Sequence, residues 1–191
     1  MLFNSIEYLF FFVIFYVFYW LINNKSLINQ NFLLLISSYA FYGWWDYRFL
    51  GLIFFSTITD FIIARKIFTT KSLNTRKVLL VLSLVVNIGL LGFFKYYNFF
   101  LDSWINLLSS IGYQVNSITT LSIILPVGIS FYTFQTLSYT LDVYHKRFTP
   151  TSSFLNFSTF VALFPQLVAG PIERAKNLLP QIEQRRLFSK E

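Results

Sequence analysis

The feature that most constrains this chain is a series of long apolar intervals with almost no charged residues. At about 1.5 Å of helix rise per residue, each interval is close to the roughly 30 Å thickness of a bilayer's hydrocarbon core. Backbone groups in lipid must satisfy their own hydrogen bonds, which favours helices. The sequence therefore predicts an all-α fold, a polytopic transmembrane helical bundle in which residues 1–191 form a single membrane domain. The predicted spans are 8–24, 26–45, 49–64, 78–94 and 121–141.

Composition excludes several other classes of protein. Only 12% of the residues are charged, while 55% are hydrophobic and 21% are aromatic; a soluble globular chain has about 25% charged residues. The absence of cysteine excludes disulfides, thiolate metal sites and a cysteine nucleophile. With His145 as its one histidine, the chain has no multi-histidine metal centre either. We expect a protein that contacts the lipid bilayer and binds neither a metal within these residues nor nucleic acid.

Two segments depart from the pattern of simple spans. Residues 99–111 are a short interval that contains Asp102, so we expect them to be interfacial. Residues 154–171 are apolar but contain Pro165, Gly170 and Pro171, which a regular helix does not accommodate. The sequence therefore predicts a broken, re-entrant segment near 154–172, in which the chain enters the bilayer and returns to the same side.

Basic residues indicate the orientation, because Lys and Arg accumulate on cytoplasmic loops. Placing the N-terminus outside leaves Arg48 and Lys95 outside the cell. The basic tail after residue 172 stays inside if 154–171 is re-entrant. The sequence therefore predicts a multi-pass protein with its N-terminus outside. The residues that this orientation places inside are Lys25, Arg65, Lys66, Lys71, Arg76, Lys77, Lys146 and Arg147.

Polar residues at membrane depth are functional candidates, and the most informative set lies around the fifth span. Its members are spaced by four, three, four and three residues, which places them on one helical face. This stripe either lines a tunnel for a polar substrate or forms a seam between two helices, and the spacing alone leaves both open. The stripe consists of Gly128, Tyr132, Gln135, Tyr139 and Asp142.

Three further polar residues have a favoured structural interpretation. Lys95 lies between aromatic residues and is either an anion-binding group at a channel mouth or a snorkelling interfacial lysine, of which we favour the second. For Asp60 we favour pairing with a nearby Lys or Arg over an ion pathway. His145 directly precedes two basic residues, which is typical of a solvated loop residue rather than a catalytic one.

Four sequence blocks carry a more specific pattern. They are Phe93–Phe99 (FFKYYNF), Leu125–Gln135 (LPVGISFYTFQ), Asp142–Tyr144 (DVY) and Phe164–Ile172 (FPQLVAGPI). Together with residues 1–5 and 39–45, these blocks resemble the membrane-bound O-acyltransferases, and among them the alginate O-acetylation proteins. The resemblance covers essentially the whole chain, in order.

This resemblance implies a helical enzyme with a tunnel through a bacterial-type cell membrane. Such enzymes transfer an acyl group from an intracellular donor to a hydroxyl of an outer polysaccharide or of an extracytoplasmic acyl-shuttle protein. The expected co-substrate is acetyl-CoA or an acyl carrier, with no bound cofactor and no metal. A tunnel histidine acts as general base in this family, and it lies in the second half of a longer chain. We therefore expect no catalytic residue within 1–191, and we expect these residues to be the N-terminal part of a larger acyltransferase domain.

The resemblance also shifts the interpretation of individual residues. It moves the stripe from seam toward tunnel wall, and it makes Gln166 a candidate for the polar lining of the tunnel. Arg174 becomes a candidate for contact with a charged donor, although an ordinary cytoplasmic anchor is the simpler interpretation. Lys95 remains a candidate at the outer mouth.

Two alternatives to the enzyme remain open. A truncated relative would be inactive alone and act as a membrane scaffold that docks a partner, normally the remaining helices of the family fold. A small transporter would use Asp60, Gln135 and Asp142 as a polar path. Transporters commonly contain paired broken helices, and the sequence indicates a single broken element, so we rank transport last.

Overall fold

The structure, a computed structural model, describes residues 3–22, 26–112, 124–168 and 170–186. Within those residues it consists of helices joined by short connections and contains no β-strand, which confirms the all-α prediction. A 3₁₀ turn, Tyr47–Phe49, joins the second and third helices. The helices are α1 Ile6–Ile22, α2 Leu27–Asp46, α3 Leu50–Thr69, α4 Leu73–Ser110, α5 Ile129–Tyr144, α6 Phe154–Ala162, α7 Phe164–Val168 and α8 Ala175–Glu183.

Serine residues fix the start of three helices. Ser26, Ser72 and Ser153 precede α2, α4 and α6, and each side-chain oxygen accepts a hydrogen bond from the backbone N–H three residues later. The first N–H groups of a helix have no partner within it, so a serine at this position stabilises the helix start. All three capped starts lie at ends where the sequence predicts the cytoplasmic side.

Two stretches, Leu27–Thr69 and Leu73–Ser110, are long and apolar enough to cross a membrane, and Ile6–Leu21 is a shorter apolar helix. Most of the side chains in the apolar part of α4 are not buried within the bundle. A helix whose apolar side chains are not covered by protein is suited to contact with lipid.

The structure joins residues 99–111, which the sequence predicts to be interfacial, to the predicted span 78–94, and their position relative to the membrane stays a prediction. Both belong to α4, which continues without interruption to Ser110. Residues 95–98 (KYYN) contain neither proline nor glycine, and a single charge does not end a helix. At 1.5 Å per residue α4 is about 57 Å long, well beyond the roughly 30 Å of the hydrocarbon core.

The fifth span is also shorter than predicted. Residues 121–123 lie outside the described residues, residues 124–128 are not helical, and α5 begins only at Ile129. Pro126 and Gly128 explain the late start, because Gly128 adopts a left-handed conformation with φ 77° that ends regular helix. At its other end α5 continues to Tyr144, beyond the predicted limit at residue 141.

The predicted break near 154–172 is present. The helix stops at Ala162, resumes as the short α7, and gives way to chain without regular secondary structure at residues 171–174. The side-chain amide nitrogen of Asn31 donates to Asn156 Oδ1 at the start of α6 and to the backbone oxygen of Ile182 in α8, both at 2.9 Å. The chain therefore leaves the level of Asn31 through α6 and comes back to it through α8, as a re-entrant segment requires. Its depth in a membrane stays a prediction.

The core lies between α2, α3, α5 and α6, and α4 and α8 pack against it. Tyr139 of α5 packs on Phe157 of α6 with ring centroids 4.6 Å apart. The aromatic α1 is attached through rings, since Phe11 contacts Phe41 of α2 and Phe164 of α7 with centroids 5.8 and 5.4 Å apart. Aromatic pairs of this geometry stabilise contacts beyond the area they bury.

The return of the chain can be tested by cysteine labelling, because the sequence contains no cysteine. Tyr47, Ser152 and Gln184 are exposed at the ends of α2, α6 and α8. In intact cells, a membrane-impermeant maleimide should label Tyr47→Cys, and should label Ser152→Cys and Gln184→Cys only after permeabilisation. The cysteine-free parent is the control. Labelling of Ser152→Cys and Gln184→Cys from opposite faces would contradict the re-entrant segment.

Candidate functional site

Two residues of the predicted polar stripe, Gln135 and Tyr139, contact α6. Tyr132, Gln135 and Tyr139 are 2%, 3% and 0% exposed, and Tyr139 also contacts Phe148 of the following loop, with centroids 5.9 Å apart. Gly128 precedes α5, and Asp142 is half-buried near its end. Among the described residues, Gln135 and Tyr139 therefore lie in a seam between helices, which is one of the two alternatives. Whether the same face borders a tunnel once further helices are present stays a prediction.

Gln135 has a defined structural task at the break in the broken segment. A helix through Leu163 would have joined the backbone N–H of Phe164 to the backbone oxygen of Phe160. Instead Ser38 Oγ accepts the Phe164 N–H at 3.1 Å, and Gln135 Nε2 donates to Phe160 O at 2.8 Å. All of these groups are buried. Side chains of α2 and α5 thus satisfy these two backbone groups, which have lost their helical partners at the break.

Gly128 permits the close approach of α7. A Cβ atom at this position would lie 2.5 Å from the backbone oxygen of Leu167, which is inside van der Waals contact. The Tyr42 hydroxyl donates to the neighbouring Val127 O at 2.8 Å, so α2 holds the same turn from the other side. The left-handed backbone and the missing side chain both require glycine here.

Gln166, the predicted polar lining residue, is half-buried at the tip of the broken segment. Its Nε2 donates to Pro171 O at 3.3 Å, while its buried Oε1 has no partner among the described residues. It lines a cavity of about 260 Å³ together with Leu163, Pro165 and Gly170. A buried acceptor without a partner beside a cavity is suited to receive a hydrogen bond from a ligand or from water.

The other two candidates lie apart from the stripe. Lys95 is exposed on α4, and its Nζ lies 5.5 Å from the ring centroid of Tyr96, an arrangement compatible with the interfacial interpretation. Arg174 is exposed at the start of α8. His145 is also exposed, directly after α5, with its ring against Tyr144.

The structure contradicts the expectation that Asp60 pairs with a Lys or Arg. Asp60 is fully buried in α3, and its carboxylate oxygens accept from Ser83 Oγ, from Asn87 Nδ2 at 2.7 Å and from Thr140 Oγ1 at 3.4 Å. Side chains of α4 and α5 therefore take the place of a cation. Asp60 lies on a face of α3 that packs against α4 and α5, so polar side chains of those two helices reach its carboxylate.

Asn87 extends this group of side chains into a network that joins three helices. Its Oδ1 accepts from Ser56 at 2.9 Å and from Thr136 at 3.3 Å. We call these buried residues the Asp60 cluster. Its members are Ser56 and Asp60 of α3, Ser83 and Asn87 of α4, and Thr136 and Thr140 of α5.

A second polar cluster attaches the end of the described chain to α2. We call it the Asn31 cluster; it consists of the buried Gln30 and Asn31 and the half-buried Asn156 and Arg186. Gln30 Nε2 donates to Arg186 O at 3.0 Å, and Arg186 donates to Asn31 Oδ1. The guanidinium of Arg186 lies 5.7 Å from the ring centroid of Tyr19. Burial lowers the pKa of Arg186 from its usual value.

The sequence analysis missed most members of both clusters. A signal was available, because Ser83 and Asn87 are four residues apart within an otherwise apolar span, as are Thr136 and Thr140, and such pairs share a helical face. Gln30 and Asn31 likewise interrupt an apolar interval. No group of acidic, histidine or cysteine side chains that could hold a metal occurs among the described residues.

Comparison with known proteins identifies relatives over most of this chain. It is 40% identical over 188 residues to the probable alginate O-acetylase of Pseudomonas aeruginosa, covering 97% of this chain and 35% of that protein. It is 40% identical over 158 residues to the protein of the same name from Azotobacter vinelandii, covering 82% of this chain and 31% of the relative. It is also 32% identical over 176 residues to the peptidoglycan O-acetyltransferase of Helicobacter pylori, covering 80% and 32% of the two chains.

The chain thus spans about a third of the length of the curated relatives it matches. No family model matches it, and no solved structure matches it. The relatives and the long apolar helices together indicate a membrane protein.

Replacing Gly128 by alanine should destabilise the bundle. A left-handed backbone costs a residue with a Cβ about 1–2 kcal/mol, and the new methyl group would also press on the Leu167 backbone. We expect a lower melting temperature in detergent for Gly128→Ala. Gly92→Ala is the control, because nothing lies within 4 Å of its new Cβ and alanine favours helix by about 1 kcal/mol. Equal melting temperatures for the two variants would contradict this account.

Replacing Asp60 by leucine should leave the Ser83, Asn87 and Thr140 donors without their acceptor. A buried donor without a partner costs about 1–3 kcal/mol, so denaturant unfolding of Asp60→Leu should show a loss of at least that size. Asp102→Leu makes the same chemical change at an exposed position of α4 and should change stability by less than about 0.5 kcal/mol. Unchanged stability of Asp60→Leu would show that the cluster contributes nothing.

Proposed function

We propose that this chain forms part of an enzyme that acylates a polysaccharide. It is homologous to proteins named alginate O-acetylase and so belongs with them to the membrane-bound O-acyltransferases. The acyl group is acetyl, and the acceptor is a hydroxyl of a cell-envelope or exported polysaccharide such as alginate. The observation that carries this proposal is the 40% identity along 97% of the chain. Relatives named for alginate and for peptidoglycan both support polysaccharide acetylation.

The proposed reaction is the transfer of an acetyl group from a thioester to a hydroxyl. The hydroxyl oxygen attacks the carbonyl carbon, the carbon–sulfur bond breaks, and the proton of the hydroxyl passes through a general base to the leaving thiolate. The donor is acetyl-CoA or an acyl carrier on the cytoplasmic side. The acceptor is the polysaccharide itself or an extracytoplasmic protein that shuttles the acyl group to it.

The general base belongs to residues outside this sequence. The one histidine here, His145, is exposed beside Tyr144 after the end of α5. These helices instead supply one wall of the path between donor and acceptor. Gln135 holds the broken segment in place, and Gln166 presents a buried oxygen beside a cavity at its tip. In a multi-pass protein with its N-terminus outside, that tip lies within the bacterial cell membrane.

A catalytically silent scaffold is the second candidate, and one observation favours it. Much of the apolar surface of α4 is uncovered, including Phe93, Phe100 and Trp104, which line one shallow cavity. Such a surface is suited to packing against further transmembrane helices. A scaffold would bind those helices without contributing to transfer.

Complementation separates the two candidates. The protein, expressed at its native length in a strain whose own polysaccharide O-acetylase is deleted, should restore acetyl esters, measured chemically on the purified polysaccharide. Gln135→Met removes the hydrogen bond to Phe160 O while keeping the side-chain length, and should reduce ester content at least about tenfold, equivalent to 1.36 kcal/mol. The control is Phe134→Leu on the exposed face of the same helix, with membrane levels of each variant measured by immunoblot.

The outcomes are distinct. If the parent protein restores esters and the Gln135→Met variant restores them equally well, the enzyme proposal stands but the stripe has no role as a tunnel wall. Normal membrane levels without any esters would contradict the proposed reaction and favour the scaffold.

A further inference from the structure

A cavity of about 490 Å³ lies where α3 ends, α4 begins and the chain leaves α5. Three cationic side chains line it, those of Lys71, Arg76 and Lys146. Thr70 and Thr149 add hydroxyl groups, and none of the described lining residues is acidic. The cavity is therefore strongly positive on one side of the bundle, at the end of the helices where the predicted orientation places the cytoplasm.

Arg76 is the residue that makes this cavity more than a group of surface lysines. It is only 8% exposed, it donates a hydrogen bond to the backbone oxygen of Tyr144, and its guanidinium lies 5.3 Å from the Tyr144 ring centroid. Its buried Nε has no hydrogen-bond partner, and no carboxylate of the described residues pairs with it. A buried cation without a counter-charge is unfavourable, so an anion bound at this position would be stabilised by the charge of Arg76.

The start of α4 adds to the positive potential. Leu73, its first residue, lines the cavity, and the N-terminal end of a helix carries partial positive charge. Backbone N–H groups at such an end are suited to phosphate oxygens.

We propose that this cavity binds a phosphate ester that carries a net negative charge. A guanidinium offers paired donors that match phosphate oxygens, and lysines supply mobile point charges around them. The volume exceeds that of phosphate alone, and Phe148 at the wall provides apolar contact for the attached organic group. Two sources share this chemistry: the headgroup of an anionic phospholipid in the cytoplasmic leaflet, and a soluble nucleotide-linked phosphate. The lipid source is independent of the proposed transfer reaction, whereas the soluble source rests on the donor proposed for it; binding is measured without transfer, so the two can fail separately.

The test uses the purified native-length protein in a zwitterionic detergent, titrated separately with phosphatidylglycerol, phosphatidylcholine and coenzyme A. The readout is the shift in melting temperature with ligand concentration. The test variant is Lys71→Gln with Lys146→Gln, which leaves the buried Arg76 untouched. The matched control is Lys66→Gln with Lys77→Gln, which removes the same charge from exposed positions in the same basic region that are not among the lining residues of this cavity.

At least one of the two anionic probes, phosphatidylglycerol or coenzyme A, should raise the melting temperature of the parent protein, and the zwitterionic phosphatidylcholine should not. Because each lysine contributes a charge-assisted hydrogen bond, the half-saturating concentration should rise at least about tenfold in the cavity variant and less than about twofold in the control. A response to phosphatidylglycerol alone identifies the lipid source, and a response to coenzyme A identifies the soluble one. Equal weakening in both variants would assign the effect to general surface charge and overturn the proposal, as would the absence of any response in the parent.

Discussion

Hydrogen bonding of the backbone in an apolar environment limits where this chain can stop being helical. Water is not available there to satisfy an N–H or carbonyl group, so every interruption needs a polar side chain from another element. At the break after α6, Phe160 O and Phe164 N are two such groups, and their partners are Gln135 of α5 and Ser38 of α2. The path of the broken segment therefore depends on two side chains that are far from it in sequence.

The two polar clusters extend the same requirement to the whole bundle. The Asp60 cluster connects α3, α4 and α5, and the Asn31 cluster connects α2, α6 and the end of the described chain. Between apolar helices, hydrogen bonds give direction to packing that dispersion alone leaves unspecific. The order of the helices is set by these contacts, and the aromatic surface of α1 then packs on rings that α2 and α7 already present.

The sequence predicted the helical class, the break near Pro165 and the common face of Tyr132, Gln135 and Tyr139, because periodicity and proline act locally. It did not predict that α4 would continue through Lys95 to Ser110 or that α5 would start only at Ile129, since charge was taken as a boundary and Pro126 was not. The sequence also did not predict the hydrogen-bond partners of Asp60. They lie on α4 and α5, and a single sequence carries no record of which helices are neighbours.

A single side chain, that of Asn31, binds both ends of the returning segment to α2. Its amide nitrogen carries two hydrogens, and the structure gives it two acceptors, Asn156 Oδ1 on the outgoing helix and Ile182 O on the incoming one. If either α6 or α8 separates from α2, one amide hydrogen of Asn31 loses its acceptor while the helix that remains keeps it buried. The two helices are consequently coupled in their opening, so amide hydrogens at the start of α6 and the end of α8 should exchange with solvent as one cooperative unit.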